Sequence, residues 1–206
     1  MQKQNKKEMT RPANSMMRFF LIAAASVMMT SVPFSLDAAE KKYEWSLAGA
    51  SGFGVERDYD PGNGELTVTV DEDTGDWSGV NLDCRSFQKN PADFPGWNKG
   101  FLVFEMKGGP DKNGKPVDVK RCQLYIGNRG KDGKITGTST VPFVQFAEGK
   151  IIPADKFSVV RVPLRRLRWK KGDTSPVNII VIQFSGNGKT AGGFTIRNVR
   201  FEIPEE

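Results

Sequence analysis

The chain predicts an all-β fold, built as a two-sheet antiparallel β-sandwich, and three observations carry that prediction. Runs such as ELTVTV at 65–70, FLVFEMK at 101–107 and FSVVRVP at 157–163 alternate apolar and polar residues, the two-residue period of a strand with one buried face. Turn-forming clusters separate such runs: PGNG at 61–64, DKNG at 111–114, NRGKDG at 128–133, KKGD at 170–173 and GNG at 186–188. After residue 40 no stretch keeps an apolar period of 3.6 residues for the length of an ordinary helix.

Nine strands follow in order. Tyr43–Leu47 carries Trp45 on its apolar face. Glu65–Asp71 alternates through Leu66, Val68 and Val70. Trp77–Cys84 puts Val80, Leu82 and Cys84 on one face and Asn81 and Asp83 on the other. A loop, PADFPGW at 91–97 with room for one helical turn, leads to Phe101–Lys107. Val117–Ile126 sets Cys122, Leu124 and Ile126 against Arg121, Gln123 and Tyr125. Val141–Phe146 places Gln145 between Val144 and Phe146. Phe157–Pro163 places Arg161 between Val160 and Val162, and Val177–Phe184 places Gln183 between Ile182 and Phe184. Gly193–Ile203 closes the chain. Strands at this spacing, with no repeat, linker or low-complexity tract, predict one jelly-roll domain over 39–206, with a barrel as the alternative.

Residues 1–38 have the character of a signal peptide. Lys3, Lys6, Lys7, Arg11 and Arg18 precede the apolar run FFLIAAASV at 19–27, which is short for a membrane span. Cleavage is expected after Ala38, with Ala39 as the second choice and an uncleaved anchor as the alternative. The removed segment holds five basic and two acidic residues, so the formal charge falls from +6 to about +3. Export to the periplasm or the extracellular space is expected, with no stable membrane span after processing and no nucleic-acid partner. An oxidising compartment and a shared inward register predict a Cys84–Cys122 disulfide.

The chain has no histidine. That removes His-based triads and His-containing zinc sites. Glycoside hydrolysis needs two carboxylates at a fixed separation, and nothing in the sequence pairs Glu105, Asp83 or Asp118. The serines beside glycine lack a nucleophile elbow, and Gly52–Gly54 lacks the strand–helix context of a phosphate cradle. The expectation is a protein that is not an enzyme and carries no cofactor. A structural calcium near Glu56, Asp58, Asp60, Asn63 and Asn198 is the one alternative, against a solvated Asx turn.

What remains is a polar column on apolar strands: Asn81, Asp83, Gln123, Tyr125, Gln145, Arg161 and Gln183. Side chains of this kind hydrogen-bond hydroxyl-rich ligands. Trp97 and Trp77 are the candidate stacking platforms, with Trp45 assigned to the core. The basic run RVPLRRLRWKK at 161–171 suits an acidic partner or a solvated edge that resists strand pairing.

Several segments together, DWSGVNLD at 76–83, GFLVFEMKGG at 100–109, KFSVVRVPLRRLRW at 156–169, VNIIVIQFSG at 177–186 and GGFTIRNVRFEI at 192–203, resemble the galactose-binding-like jelly rolls of carbohydrate-binding modules. The run Phe194–Phe201 carries the clearest likeness. Arg197 departs from it, since the family often has an acidic residue there beside a structural calcium. The resemblance implies non-catalytic binding of a polysaccharide or oligosaccharide, with an anionic chain admitted by the basic run. The alternative is a structural or assembly protein that binds an envelope protein; a polysaccharide-active enzyme ranks behind both.

Overall fold

The first sheet orders its strands β10-β6-β12-β4-β3, with β1 also pairing β12; the second orders β2-β5-β11-β7-β8, with β9 also pairing β7. In chain order these are β1 (Glu40–Glu44), β2 (Ser51–Phe53), β3 (Val55–Asp60), β4 (Glu65–Val70), β5 (Trp77–Asp83), β6 (Phe101–Gly109), β7 (Cys122–Arg129), β8 (Ile135–Gly137), β9 (Val141–Pro142), β10 (Ser158–Pro163), β11 (Ile179–Ser185) and β12 (Gly192–Pro204). All pairings between these strands are antiparallel. This is a jelly-roll β-sandwich, as a computed structural model describes it for residues 40–70, 77–84, 87–109, 122–169, 176–185 and 192–205. The signal segment, Asp118, Arg121 and the turns at 111–114, 170–173 and 186–188 lie outside the described residues.

The core follows from the alternation. Leu66, Val68 and Val70 of β4, Leu102, Phe104 and Met106 of β6, and Phe194 and Ile196 of β12 face inward from the first sheet. Val80 and Leu82, Leu124 and Ile126, and Ile180, Ile182 and Phe184 meet them from the second. Burying each such large side chain is worth about 1.5–3 kcal/mol. Trp45 joins this core and donates its indole N–H to the Leu82 carbonyl at 3.0 Å.

Four expectations need correction. Strands β2, β3 and β8 are absent from the predicted set, because SGF, VERDYD and ITG show weak or no alternation. The strand expected over Val141–Phe146 stops at Pro142 and gives way to a 3-10 turn at Val144–Phe146. That turn places Gln145 in solvent, with its amide donating to the Pro142 carbonyl at 2.8 Å.

The third correction concerns Trp97. The 91–97 loop forms a 3-10 turn capped by Asn90, whose side chain accepts from Ala92 N at 2.9 Å. It then folds back, and Trp97 is 5% exposed. Its ring packs against Phe201 at 5.4 Å and Phe94 at 6.0 Å between centroids.

The fourth concerns the disulfide. Cys84 and Cys122 are both buried, and no disulfide joins them. Cys122 lies opposite Phe184 of β11, whereas Cys84 N bonds to Asn178 O on the other flank of the same strand. Six strand residues separate those two positions, about 20 Å at the rise of a β-strand. A disulfide needs Cα atoms within about 7 Å. The two cysteines share an inward face but stand at opposite ends of it.

Candidate functional site

The outward face of the second sheet is built from the residues that alternate with this core. Its rows follow from the strand registers. Gly79, Gln183 and Gln123 lie abreast on β5, β11 and β7, with Phe53 of β2 beside Gly79 and Pro142 of β9 beside Gln123. The next row is Ser51, Asn81, Val181 and Tyr125, and the third is Asp83, Ile179 and Gly127. Asn81, Asp83, Gln123, Tyr125 and Gln183 are all half-buried. The five thus share one face, as their alternation predicts.

Two rings pack against glycines on this face. Phe53 rests over Gly79, where a Cβ would stand 2.7 Å from its Cζ and would also strike the Ile182 carbonyl. Tyr125 rests over Gly137, where a Cβ would stand 2.8 Å from its Cδ2. Glycine at each position leaves the space the ring fills. Burial pushes the Tyr125 phenol above its ordinary pKa, against the opposing pull of Arg129. The phenol therefore stays neutral and able to donate at physiological pH.

At one end, Arg129 reaches across β11 to Asp83, with Nη1 3.0 Å from Oδ2. The pair crosses beside Ile179, which is fully buried although it belongs to the outward face. Ser51 Oγ approaches the same carboxylate oxygen at 3.5 Å, and Asn81 Nδ2 donates to Ser51 Oγ at 3.4 Å. Asn178 fixes Arg129 by its main chain: Oδ1 accepts from Arg129 N at 2.7 Å, and Nδ2 donates to Arg129 O at 3.2 Å.

Other candidates sit elsewhere. Arg161 belongs to the first sheet, on β10, and does not join the column. Its guanidinium is 2.6 Å from the Glu202 carboxylate and stacks on Phe101. Strand alternation reports which side of its own sheet a residue faces, not which sheet it occupies, and this misplaced Arg161. Trp77 opens β5 opposite Ser185, and its side chain lies outside the described set. Phe53, Ser51, Arg129 and Asn178 were not singled out from the sequence. Phe53 lies in a three-residue strand without alternation, and its only signal was a ring between two glycines.

Two further carboxylates weighed from the sequence, Glu105 and Asp60, are engaged. Glu105 on β6 accepts from Arg197 Nε at 2.8 Å and from Asn198 Nδ2 at 2.9 Å, and Arg197 also reaches Glu65 at 3.0 Å. Burial pushes the Glu105 pKa up, but those two hydrogen bonds together with the positive charges of Arg197 and Arg200 outweigh it and hold the carboxyl below its ordinary value. Glu105 and Asp83 face outward from opposite sheets, with the core between them. They cannot flank one glycosidic bond. Asp60 closes the 61–64 turn, accepting from Gly62 N at 2.8 Å and Asn63 Nδ2 at 2.7 Å, which is the Asx arrangement. Among the described residues no three His, Cys, Asp or Glu side chains gather as metal ligands would. No described helix is long and apolar enough to cross a membrane.

Comparison with known proteins adds a fold. No family model matches the chain, and no curated protein matches it. Among solved structures it is similar to a family 30 carbohydrate-binding module, with TM-score 0.52 and 14% identity over 80% of this chain and 99% of that one. It is also similar to the family 30 carbohydrate-binding module of the cellulosomal cellulase Cel9D-Cel44B of Clostridium thermocellum. There the TM-score is 0.51, at 17% identity over 77% of this chain and 90% of that one. At such identities the likeness is one of fold.

Proposed function

We propose that the protein is an exported, non-catalytic polysaccharide-binding domain whose ligand lies along the outward face of the second sheet. One observation carries this reading. Phe53 and Tyr125 pack against Gly79 and Gly137, and the Gln123–Gln183 pair and Asn81 stand between them. Flat rings take the C–H faces of sugars, and planar amides take their hydroxyls. From Gly79 to Gly137 the face spans three strand intervals and about four residues of register, roughly 20 Å. A ligand that uses both rings is therefore a chain of several sugars. The likeness to modules named for carbohydrate binding supports the same reading. No bond is made or broken in it; binding draws on ring desolvation and oriented hydrogen bonds.

The basic run extends the reading to anionic chains, since Arg165, Arg166 and Arg168 are exposed. The competing reading, a surface for an envelope protein, calls for a contiguous apolar patch. The exposed large apolar side chains among the described residues are Ile151 and Val159, on the other half of the sandwich. The test is an array of neutral, uronic and sulfated glycans probed with the intact protein, Gln183→Ala and Trp97→Ala. Binding that Gln183→Ala weakens about tenfold supports the sheet face. Loss confined to Trp97→Ala, in a variant that folds like the parent, moves the site to the loop, and no binding at all overturns the reading in favour of a protein partner.

A further inference from the structure

Beyond the Asp83–Arg129 pair the outward face drops into a cavity of about 410 Å3. Its walls are Asp83, Gln88, Arg129, Lys131, Asn178 and the glycines of the 130–133 turn. No apolar side chain lines it, so this end of the face recognises polar groups and offers no ring for stacking. The charges there are unequal: two cations, Arg129 and Lys131, against the single carboxylate of Asp83, which Arg129 already engages from the β5 side. Asp132 and Lys134, on the same exposed turn, lie 3.7 Å apart and offset each other.

Arg129 is also prepared to bind. Asn178 holds its main chain on both sides, so its side chain starts from a fixed root. Asp83 takes one N–H of Nη1 and Nε is enclosed, so the part of the guanidinium left for a ligand is its end, the Nη1–Nη2 edge. A rooted guanidinium loses little freedom when it takes up an oxyanion. Lys131, exposed on the turn at the mouth of the cavity, supplies a second and mobile charge.

We infer that this cavity is a subsite for an acidic sugar, a residue carrying one oxyanion such as a uronate carboxylate or a sulfate ester, at one end of the bound chain. The inference rests on the proposed sheet-face site and names the charge of the chain that site prefers. The shared chemistry is a compact monoanion set between a guanidinium fork and an ammonium, with neutral hydroxyls along the rest of the chain meeting Asn81, Gln123 and Gln183.

The test uses the intact protein and three β-linked glucose hexasaccharides of equal length: neutral, oxidised at C6 to carboxylates, and sulfated at O6. Titration calorimetry reads the ratio of acidic to neutral affinity. A charge-assisted contact predicts a ratio of about ten or more at low salt, falling as salt rises. The two acidic arms separate carboxylate from sulfate. Lys131→Glu, on an exposed turn where folding is little affected, should bring the ratio to one or below. Arg129→Lys keeps the charge but loses the fork, and should lower the ratio further for carboxylate than for sulfate. A ratio of one in the intact protein, with neutral chains bound, overturns the subsite and leaves the sheet-face site standing. A ratio that Lys131→Glu does not change also overturns it. If none of the three hexasaccharides binds and no chain of the glycan array does either, both readings fall together.

Discussion

In the proposed reading Tyr125 and Gln183 take part in recognition through their outward side, whereas Trp97 contributes to stability through its inward one. Truncating a side chain of the face should cost binding and little stability. Gln183→Ala is expected to weaken glycan binding about tenfold, since it removes an oriented amide worth on the order of 1–2 kcal/mol, while the melting temperature stays near that of the parent. Trp97→Ala should do the reverse. Its ring is 5% exposed and packed on Phe94 and Phe201, so truncation is expected to cost about 3–5 kcal/mol of stability. Denaturant titration of the two variants beside their binding curves separates the roles; a Trp97→Ala variant that folds like the parent but does not bind would reverse them. The sequence placed Trp97 in a Gly/Pro loop and so suggested exposure. The Asn90-capped turn folds that loop back on the core, a contact between segments about 100 residues apart that local composition does not record.

Strands β5, β11 and β7 fix both the site and the thiols. Because the strands pair in register, Gly79 holds the floor under Phe53. Gly79→Val would meet the Ile182 carbonyl and displace the ring, so binding should fall with Phe53→Ala and Gly79→Val alike. In Gly79→Val stability should fall as well, by about 1–3 kcal/mol for overpacking. Parent-like binding by Gly79→Val would show that the Phe53 platform is not used. The same registers keep the cysteines at opposite ends of one face. Alkylation in denaturant without reductant should therefore label two thiols per chain, and two unreactive cysteines would mean a disulfide. Strand alternation made the inward face of each cysteine legible. Its position along the partner strand depended on pairing partners far away in sequence.

At the scale of the sandwich, the two outward faces differ in kind. The first sheet spends its charges on itself: Arg197 bridges Glu65 and Glu105, and Arg161 and Arg200 share Glu202. The second sheet presents amides and rings. The depressed Glu105 pKa gives the first sheet an acid-sensitive tie. A carboxyl held below its unfolded value stabilises the fold above that value, and the stabilisation is lost as pH falls through the folded pKa. Stability should therefore decline below about pH 4.3, the unperturbed glutamate value. In Glu105→Gln that acid limb should be shallower, with little change in glycan binding at neutral pH. An acid limb identical to the parent's would show that Glu105 does not contribute to it.

The sequence by itself determined the class of fold, the inward residues of most strands, and the polar column Asn81, Asp83, Gln123, Tyr125 and Gln183, because a strand exposes its faces with a period of two whatever its partners. It carried no record of which strands lie side by side. Arg161 obeys the same alternation as Gln183 yet stands on the other sheet, and Phe53 gains its meaning only when β2 pairs with β5. Tertiary structure decided the sheet each strand joins, the glycines on which the rings lie, and the fate of the loop tryptophan, because each depends on non-local pairing and packing.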